Sequence, residues 1–284
     1  MSDDRPAPPH PLETPPSGAS AVDTTVIVST YNNPDYLEKV LHGYAAQTDP
    51  AFEIVLADDG SNAAARERTD ALLARLPLRV RRVWQEDEGF RKTKILNAAI
   101  AEARGDYLVF TDGDCIPFPD FVALHRSLRR PGRFVSAGAL RLPEGPTAAI
   151  LEGRLRAPEM FTYPALRAAG LPDRLKYRRL FAGEAVRRAL DVALPIKRTF
   201  NGLNAACWKA DALAAGGFNE AMGYGSEDVE FGVRLAGLGL RPLMARHRLR
   251  ALHLDHSRPY VAEGDRAANR AILLETRARL KSAP

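Results

Sequence analysis

From Thr24 onward two patterns alternate along the chain. Short β-branched or continuous apolar runs predict strands, and apolar residues spaced three and four apart predict helices. Thr25-Val-Ile-Val-Ser-Thr30 is the first such run, followed by a turn at Tyr31-Asn-Asn-Pro34. Pro34 suits the first turn of a helix carrying Leu37, Val40, Leu41 and Tyr44. Phe52 to Ala57 predicts a second strand, ending in Asp58-Asp59-Gly60-Ser61. A helix over Ala63 to Leu76, a strand over Leu78 to Trp84 and a helix over Arg91 to Ala103 follow. Tyr107 to Phe110 is then an apolar run that ends in Asp112-Gly-Asp114.

Strands alternating with helices at this spacing predict an α/β fold, with a mostly parallel sheet covered on both faces. Ligands bind such sheets at the carboxyl ends of the strands. Three polar ends, Thr30-Tyr-Asn32, Asp58-Asp59 and Asp112-Gly-Asp114, would line one crevice. Alternate residues of an extended chain point the same way, and Gly113 permits a sharp turn, so Asp112 and Asp114 can converge. Paired carboxylates there suit a hard divalent cation that also grips a diphosphate. Each end taken singly is equally a turn or a helix cap. Neither Gly-x-Gly-x-x-Gly nor a P-loop is present.

The segment 146–199 differs in texture, being rich in arginine from Arg154 to Arg198 with Leu, Phe and Tyr between. It is read as one or two helices with a basic face: a solvated surface, an acceptor-binding element or a contact for anionic lipid. Further on, Ser226 is the expected N-cap of a helix that places Glu227 and Asp228 in its first turn, where the helix dipole favours ionised carboxylates. Gly223 and Gly225 allow close backbone approach to a ligand. Leu249 to His256 predicts a last strand, with His253 and His256 at its end, and Tyr260 to Lys281 a closing amphipathic helix.

The 284 residues suffice for one large core. Residues 1–22, with Pro6, Pro8, Pro9, Pro11, Pro15 and Pro16, are expected to form a disordered tail. No apolar run approaches the roughly 18 residues needed to span a bilayer. Two lone cysteines and no signal-peptide pattern predict a cytoplasmic protein. The net charge of +5 is modest for this length, and aromatics are 7%, so nucleic acid is not expected.

The ordered set Val-Ser-Thr-Tyr-Asn (28–32), Ala-Asp-Asp-Gly-Ser (57–61), Gly-Phe-Arg-Lys-Thr-Lys-Ile-Leu-Asn (89–97), Asp-Gly-Asp-Cys (112–115), Gly-Gly-Phe-Asn-Glu (216–220) and Gly-Ser-Glu-Asp (225–228) resembles the family 2 glycosyltransferases. The resemblance covers about Thr24 to Pro259, and its C-terminal part is similar to the galactosyltransferase-like and chondroitin-polymerase-like branch. It implies a GT-A fold, Rossmann-like, as one catalytic domain over 23–259: a nucleotide-binding half at 23–145, a basic helical insertion at 146–199 and an acceptor half at 200–259. It implies an inverting hexosyl- or N-acetylhexosaminyl-transferase that uses a nucleotide-sugar donor, expected to be a UDP-sugar, and Mn2+ or Mg2+. By the same resemblance, Thr30, Tyr31, Asn32, Asp58 and Asp59 hold base and ribose, and Arg91 and Lys94 face the diphosphate. Asp112 and Asp114 serve ribose and metal, His253 completes the metal shell with His256 as second choice, Asp228 is the base, and Glu227 orients acceptor or base. Leu96 departs from the pattern, since many relatives carry an arginine there.

The expected acceptor is a carbohydrate, glycolipid or small-molecule hydroxyl, in polysaccharide or glycoconjugate synthesis. Peripheral contact with the inner membrane face through 146–199 is a further expectation. Two other readings are a nucleotidyltransferase, which would need a glycine-rich basic loop after the first strand, and a non-catalytic protein that binds anionic ligands.

Overall fold

The computed structural model describes residues 22–194, 198–257 and 265–282. Most of the expected N-terminal tail, and the start of the expected closing helix, lie outside the described residues. The first half runs β1 (Thr24–Thr30), α1 (Pro34–Ala45), β2 (Phe52–Asp58), α2 (Ala63–Leu73), β3 (Val80–Trp84), α3 (Lys92–Glu102) and β4 (Tyr107–Asp112). Then come β5 (Cys115–Pro117), α4 (Phe121–Leu128), β6 (Arg133–Ser136) and β7 (Leu140–Arg141). Short helices α5 (Glu144–Leu151), α6 (Tyr163–Ala168), α7 (Leu175–Arg178) and α8 (Glu184–Ala193) fill the middle. The chain ends with β8 (Asn204–Trp208), α9 (Lys209–Ala214), α10 (Glu227–Gly237), β9 (Arg241–Met244), β10 (Ala251–His253) and α11 (Asp265–Ser282).

Among the described residues the main sheet has seven strands in the order β3-β2-β1-β4-β8-β6-β9. Strands β1 to β4 are mutually parallel, with Thr30 beside Asp58 and Ser29 beside Asp112, so the polar ends share one edge. β8 runs antiparallel between β4 and β6. A smaller sheet, β5-β10-β7, stands at the carboxyl end of β4. Alternation along the parallel strands divides the core. Val26, Val28, Ile54, Leu56 and Val109 face α1, whereas Ile27, Val55, Leu108 and Phe110 face α3 and the Phe200, Phe218 and Phe231 rings. Each such fully buried side chain contributes on the order of 2 kcal/mol from removal of apolar surface from water.

Several expected boundaries move for local reasons. α2 stops at Leu73 rather than Leu76, because Pro77 disfavours helical backbone just before it. The last strand shortens to Ala251–His253, the residues opposite β5. The basic segment forms four short helices rather than one or two, since Pro158, Pro164, Pro172, Gly153 and Gly170 interrupt it. Gly105 closes the turn after α3 because a Cβ there would lie 2.7 Å from the backbone of Thr24 and Thr25. No helix among the described residues is long and apolar enough to cross a membrane.

His125 on α4 is fully buried, with Nε2 at 3.0 Å from Asn204 Oδ1 and Nδ1 unpartnered among the described residues. Burial pushes its pKa down to about 4, against a smaller opposing effect of the Asn204 bond. The unfolded imidazole titrates near about 6.5, so the unfolded chain binds the proton first as pH falls. The neutral histidine's contribution is complete above that value and is lost as pH drops through the folded value. Urea denaturation from pH 7 to 4 should therefore show about 3 kcal/mol of acid destabilisation that is absent in His125→Asn; equal pH dependence in both chains would contradict this.

Candidate active site

The site is built on the end of β4. Asp112 is the last residue of that strand, and Gly113 turns the chain under Ser29, its N–H donating to the Ser29 carbonyl at 2.7 Å. A Cβ at Gly113 would stand 3.0 Å from that carbonyl and 3.3 Å from Thr30, so the tight turn favours glycine. Asp112 Oδ1 accepts from Ser29 Oγ at 2.7 Å and from Lys92 Nζ at 2.5 Å. Asp114 follows, and Cys115 donates its thiol to Asp114 Oδ1 at 3.2 Å. Burial pushes the Cys115 thiol well up, so it stays protonated.

The small sheet brings the histidines to Asp114. β10 pairs antiparallel with β5, setting His253 opposite Cys115, and the Leu254 N–H donates to the Asp114 carbonyl at 3.0 Å. His253 Nε2 lies 3.8 Å and His256 Nε2 2.8 Å from Asp114 Oδ2, with the two rings stacked at 5.5 Å. One ligand atom from each of Asp114, His253 and His256 lies within 4.8 Å of the others, and Asp112, Asp114 and Cys115 form a second such group. His256 Nδ1 faces the Ser257 carbonyl at 2.7 Å, while Nε2 faces a carboxylate. Both partners are acceptors, so a neutral imidazole can donate to only one of them. Burial depresses the His253 pKa, which favours the neutral ligand form, and burial of Asp114 is outweighed by the two histidines, which pull its pKa down. Two imidazoles and a carboxylate fit a first-row divalent ion.

On the acceptor side, α10 starts at Glu227, as the spacing predicts, but Ser226 does not cap it with its side chain. Ser226 instead sits at φ +68°, a strained backbone for serine, and the carboxylates themselves take the loop N–H groups. Glu227 Oε2 accepts from Gly225 N at 2.9 Å; Asp228 accepts from Gly202 N at 2.9 Å and Val229 N at 2.7 Å. Burial raises both pKa values, with Lys92 opposing it, so desolvation prevails over the favourable helix position. Lys92 joins the two halves. Burial works against its charge, yet Asp112, Glu227 and Asp228 together lift its pKa above the usual lysine range.

Along the other edge, Tyr31 is 42% exposed and donates its hydroxyl to Asp87 at 2.8 Å. Asn32 adopts φ +47°, with its N–H on Ser61 Oγ and its Oδ1 taking Asn62 N–H. Thr30 borders Gly113. Asp58 points into its own turn, accepting from Ser61 N at 2.8 Å. Asp59 accepts from Gln85 Nε2 and Arg91 N, and burial pushes its pKa up to about 6. Arg91 spends its guanidinium on Glu88 and the Glu86 carbonyl. Lys94 is exposed on α3, and it is Lys92 that enters the carboxylate cluster. The start of α3 at Lys92, with Arg91 as its cap, decides which side chain of the basic run turns toward Asp112.

Residues missed in the sequence include Ser29, Lys92 and Gly202. Ser29 and Lys92 lay inside the motifs 28–32 and 89–97 without being singled out, and Gly202 lay in Asn201-Gly202, where a Cβ would stand 3.3 Å from Asp228 Cβ. The motif Gly216 to Glu220 proves to be an anchor: Asn97 takes the Phe218 N–H and donates to the Phe218 carbonyl and Glu220. α11 closes over it, with Asn269 donating to the Gly223 and Gly225 carbonyls at 2.9 and 2.7 Å.

Residues 25–136 match the family model "Glycosyl transferase family 2". The chain is 28% identical over 254 residues to validoxylamine A glucosyltransferase of Streptomyces hygroscopicus subsp. jinggangensis, covering 84% of this chain and 57% of that protein. It is 32% identical over 92 residues to the poly(ribitol-phosphate) beta-N-acetylglucosaminyltransferase TarS of Staphylococcus aureus, covering 32% of this chain and 16% of that one. The chain thus spans just over half the length of the curated relatives it matches along most of its own. Among solved structures, the mannosyltransferase PcManGT of Pyrobaculum calidifontis with GDP-Man and Mn2+ superposes with TM-score 0.58 at 20% identity, over 96% of this chain and 74% of that one. S. aureus TarS 1-349 with UDP-GlcNAc gives 0.63 at 16% identity, over 89% and 66%. The family model ends at residue 136, so it does not reach the C-terminal branch expected above. Residues 25–136 thus match the family 2 glycosyltransferases, and the fold is the GT-A architecture of these structural neighbours.

Proposed function

We propose that this chain moves a sugar from a nucleoside diphosphate to an acceptor hydroxyl, with inversion and with the help of Mn2+ or Mg2+, the expected donor being a UDP-sugar. The observation that carries this reading is the bridging of two carboxylate groups by one partly buried cation: Asp112 bonds Lys92, and Lys92 feels Glu227 and Asp228. A divalent cation held by Asp114, His253 and His256, with Asp112 beside it, would neutralise charge developing on the departing diphosphate. Lys92 adds a fixed positive charge on the same side. Asp228, oriented by two backbone N–H groups, accepts the acceptor proton as the hydroxyl oxygen bonds to C1. The C1–O bond breaks with its electron pair leaving on the diphosphate. Attack opposite the leaving group inverts C1. Glu227, fixed by Gly225, orients the acceptor. The exposed ring of Tyr31 offers a stacking surface for the base, and the Asp59 carboxylate an acceptor for its imide N–H.

The glucosyltransferase relative and the complexes of structural neighbours with nucleotide sugars support this reading, and the GDP-Man complex keeps guanosine donors in the test set. Calorimetry of UDP with and without Mn2+ tests the metal site. Asp114→Asn or His256→Ala should weaken Mn2+-dependent UDP binding by about tenfold or more. Equal UDP affinity with and without Mn2+ in the unaltered chain would count against metal assistance.

A further inference from the structure

Beside the β7–β10 edge lies a cavity of about 450 Å³, a volume suited to a small ligand. Its lining carries Arg141, Lys176, Arg179, Arg246 and Arg250, with no carboxylate among the described lining residues. Phe118, Leu180, Phe181 and Leu249 share the lining with these cations. Among the described residues, only Arg250 of the five forms an ion pair, with Asp120 at 3.3 Å. Asp191, the nearby acid, is already shared by His247 and Arg248, both at 2.9 Å.

The cationic character extends below the surface. Arg250 lies 4.1 Å over the Phe118 ring, and its Nε is buried with no hydrogen-bond partner among the described residues. Arg187 on α8 is 8% exposed, and its Nε and Nη1 are likewise unpartnered. Burial lowers the Arg250 pKa, and the neighbouring Arg187 charge lowers it further, which places two guanidiniums within electrostatic reach of each other. Buried guanidinium N–H groups without partners cost free energy unless an anion meets them. Guanidinium forks with an ammonium suit the several oxygens of a phosphate.

We propose that this cavity is a phosphate-binding site that receives a phosphate group of the sugar acceptor. Its link to the chemistry is the segment 137–141, which ends in β7. Arg141 stands opposite His253 in the β7–β10 register. At the other end, Asn201 holds the Ala137 carbonyl at 2.7 Å, and the adjacent Gly202 holds Asp228. An acceptor with its hydroxyl at Asp228 thus has the cavity on the flank of the site. That the phosphate belongs to the acceptor rests on the transferase reading; that the cavity holds phosphate rests on its own residues.

Calorimetry of the full chain without nucleotide or metal, titrated with inorganic phosphate, tests the cavity first. Binding should be saturable, and the exposed-side replacements Lys176→Ala, Arg179→Ala and Arg246→Ala combined should weaken it by about tenfold or more, the size of a lost charge-assisted bond. UDP–Mn2+ binding should be the same in both chains, which also reports intact folding. No saturable phosphate binding, or equal binding by the triple variant, overturns the site. Phosphatidylglycerol vesicles that bind through these cations and are not displaced by phosphate would overturn it in favour of a lipid surface. In the transfer assay, phosphate should compete with acceptor and not with donor; competition with donor overturns the acceptor assignment. Because the first titration needs neither donor nor metal, its failure and that of the transferase reading are separable.

Discussion

Asp228→Asn should lower transfer by about a hundredfold to ten-thousandfold while leaving UDP–Mn2+ affinity nearly unchanged. Asparagine keeps the shape and cannot take a proton. In the native chain the carboxylate receives N–H groups from Gly202 and Val229, which leaves lone-pair capacity on each oxygen for the acceptor proton. Burial raises its pKa and so its basicity, with Lys92 limiting the rise. The donor contacts proposed at Asp59, Asp112 and Asp114 lie on other elements, so ligand binding should survive. Paired kinetics and calorimetry separate the outcomes. If nucleotide binding collapses together with turnover, Asp228 serves to hold the 201–204 loop rather than to accept the proton.

The largest effect on stability is expected at Arg234. Glu230 is 1% exposed, and its carboxylate receives Arg234 Nε at 2.9 Å, Arg234 Nη2 at 2.7 Å and the Thr276 hydroxyl at 2.9 Å. Arg234 Nη1 reaches the Gly217 carbonyl at 2.6 Å, so one ion pair joins α10, α11 and the glycine turn anchored by Asn97. Arg234→Met strands a buried carboxylate and should cost about 3 to 5 kcal/mol in urea denaturation. The double replacement Glu230→Gln with Arg234→Met should cost much less than the sum of the singles, because the uncompensated charge is gone. Strict additivity would show that the pair does not act as a unit. Because Glu230 follows Asp228 by two residues, the single variant should also loosen the candidate base.

The parallel half of the fold was legible because its information is local. Alternating apolar runs and Pro34, Gly105 and Gly113 mark strands, helix starts and turns without reference to distant residues. The Asp112-Gly-Asp114 turn was legible for the same reason. Lys92 was not, because three cations crowd residues 91 to 94 and the helix phase alone decides which one meets Asp112. The convergence of His253 and His256 on Asp114 depends on the pairing of β10 with β5, separated by more than a hundred residues, and no local pattern encodes that register. Ser226 looked like a cap because serine is a common one, but the close approach of Gly202 to Asp228 and of Gly225 to Glu227 supplies the helix start with other partners. The arginine-rich segment left a solvated surface, an acceptor-binding element and a lipid contact open; the fold shows that its α7 and the following turn share a cavity with Arg246 and Arg250.

The central claim is that this chain cleaves the sugar–phosphate bond of a nucleotide sugar with a divalent cation at Asp114, His253 and His256. Release of nucleoside diphosphate from a panel of UDP- and GDP-sugars, with Mn2+ and with chelator, measures it directly. The account predicts release from at least one donor, abolished by chelator and by Asp114→Asn. No release from any donor, together with no UDP binding in the presence of Mn2+, would contradict it.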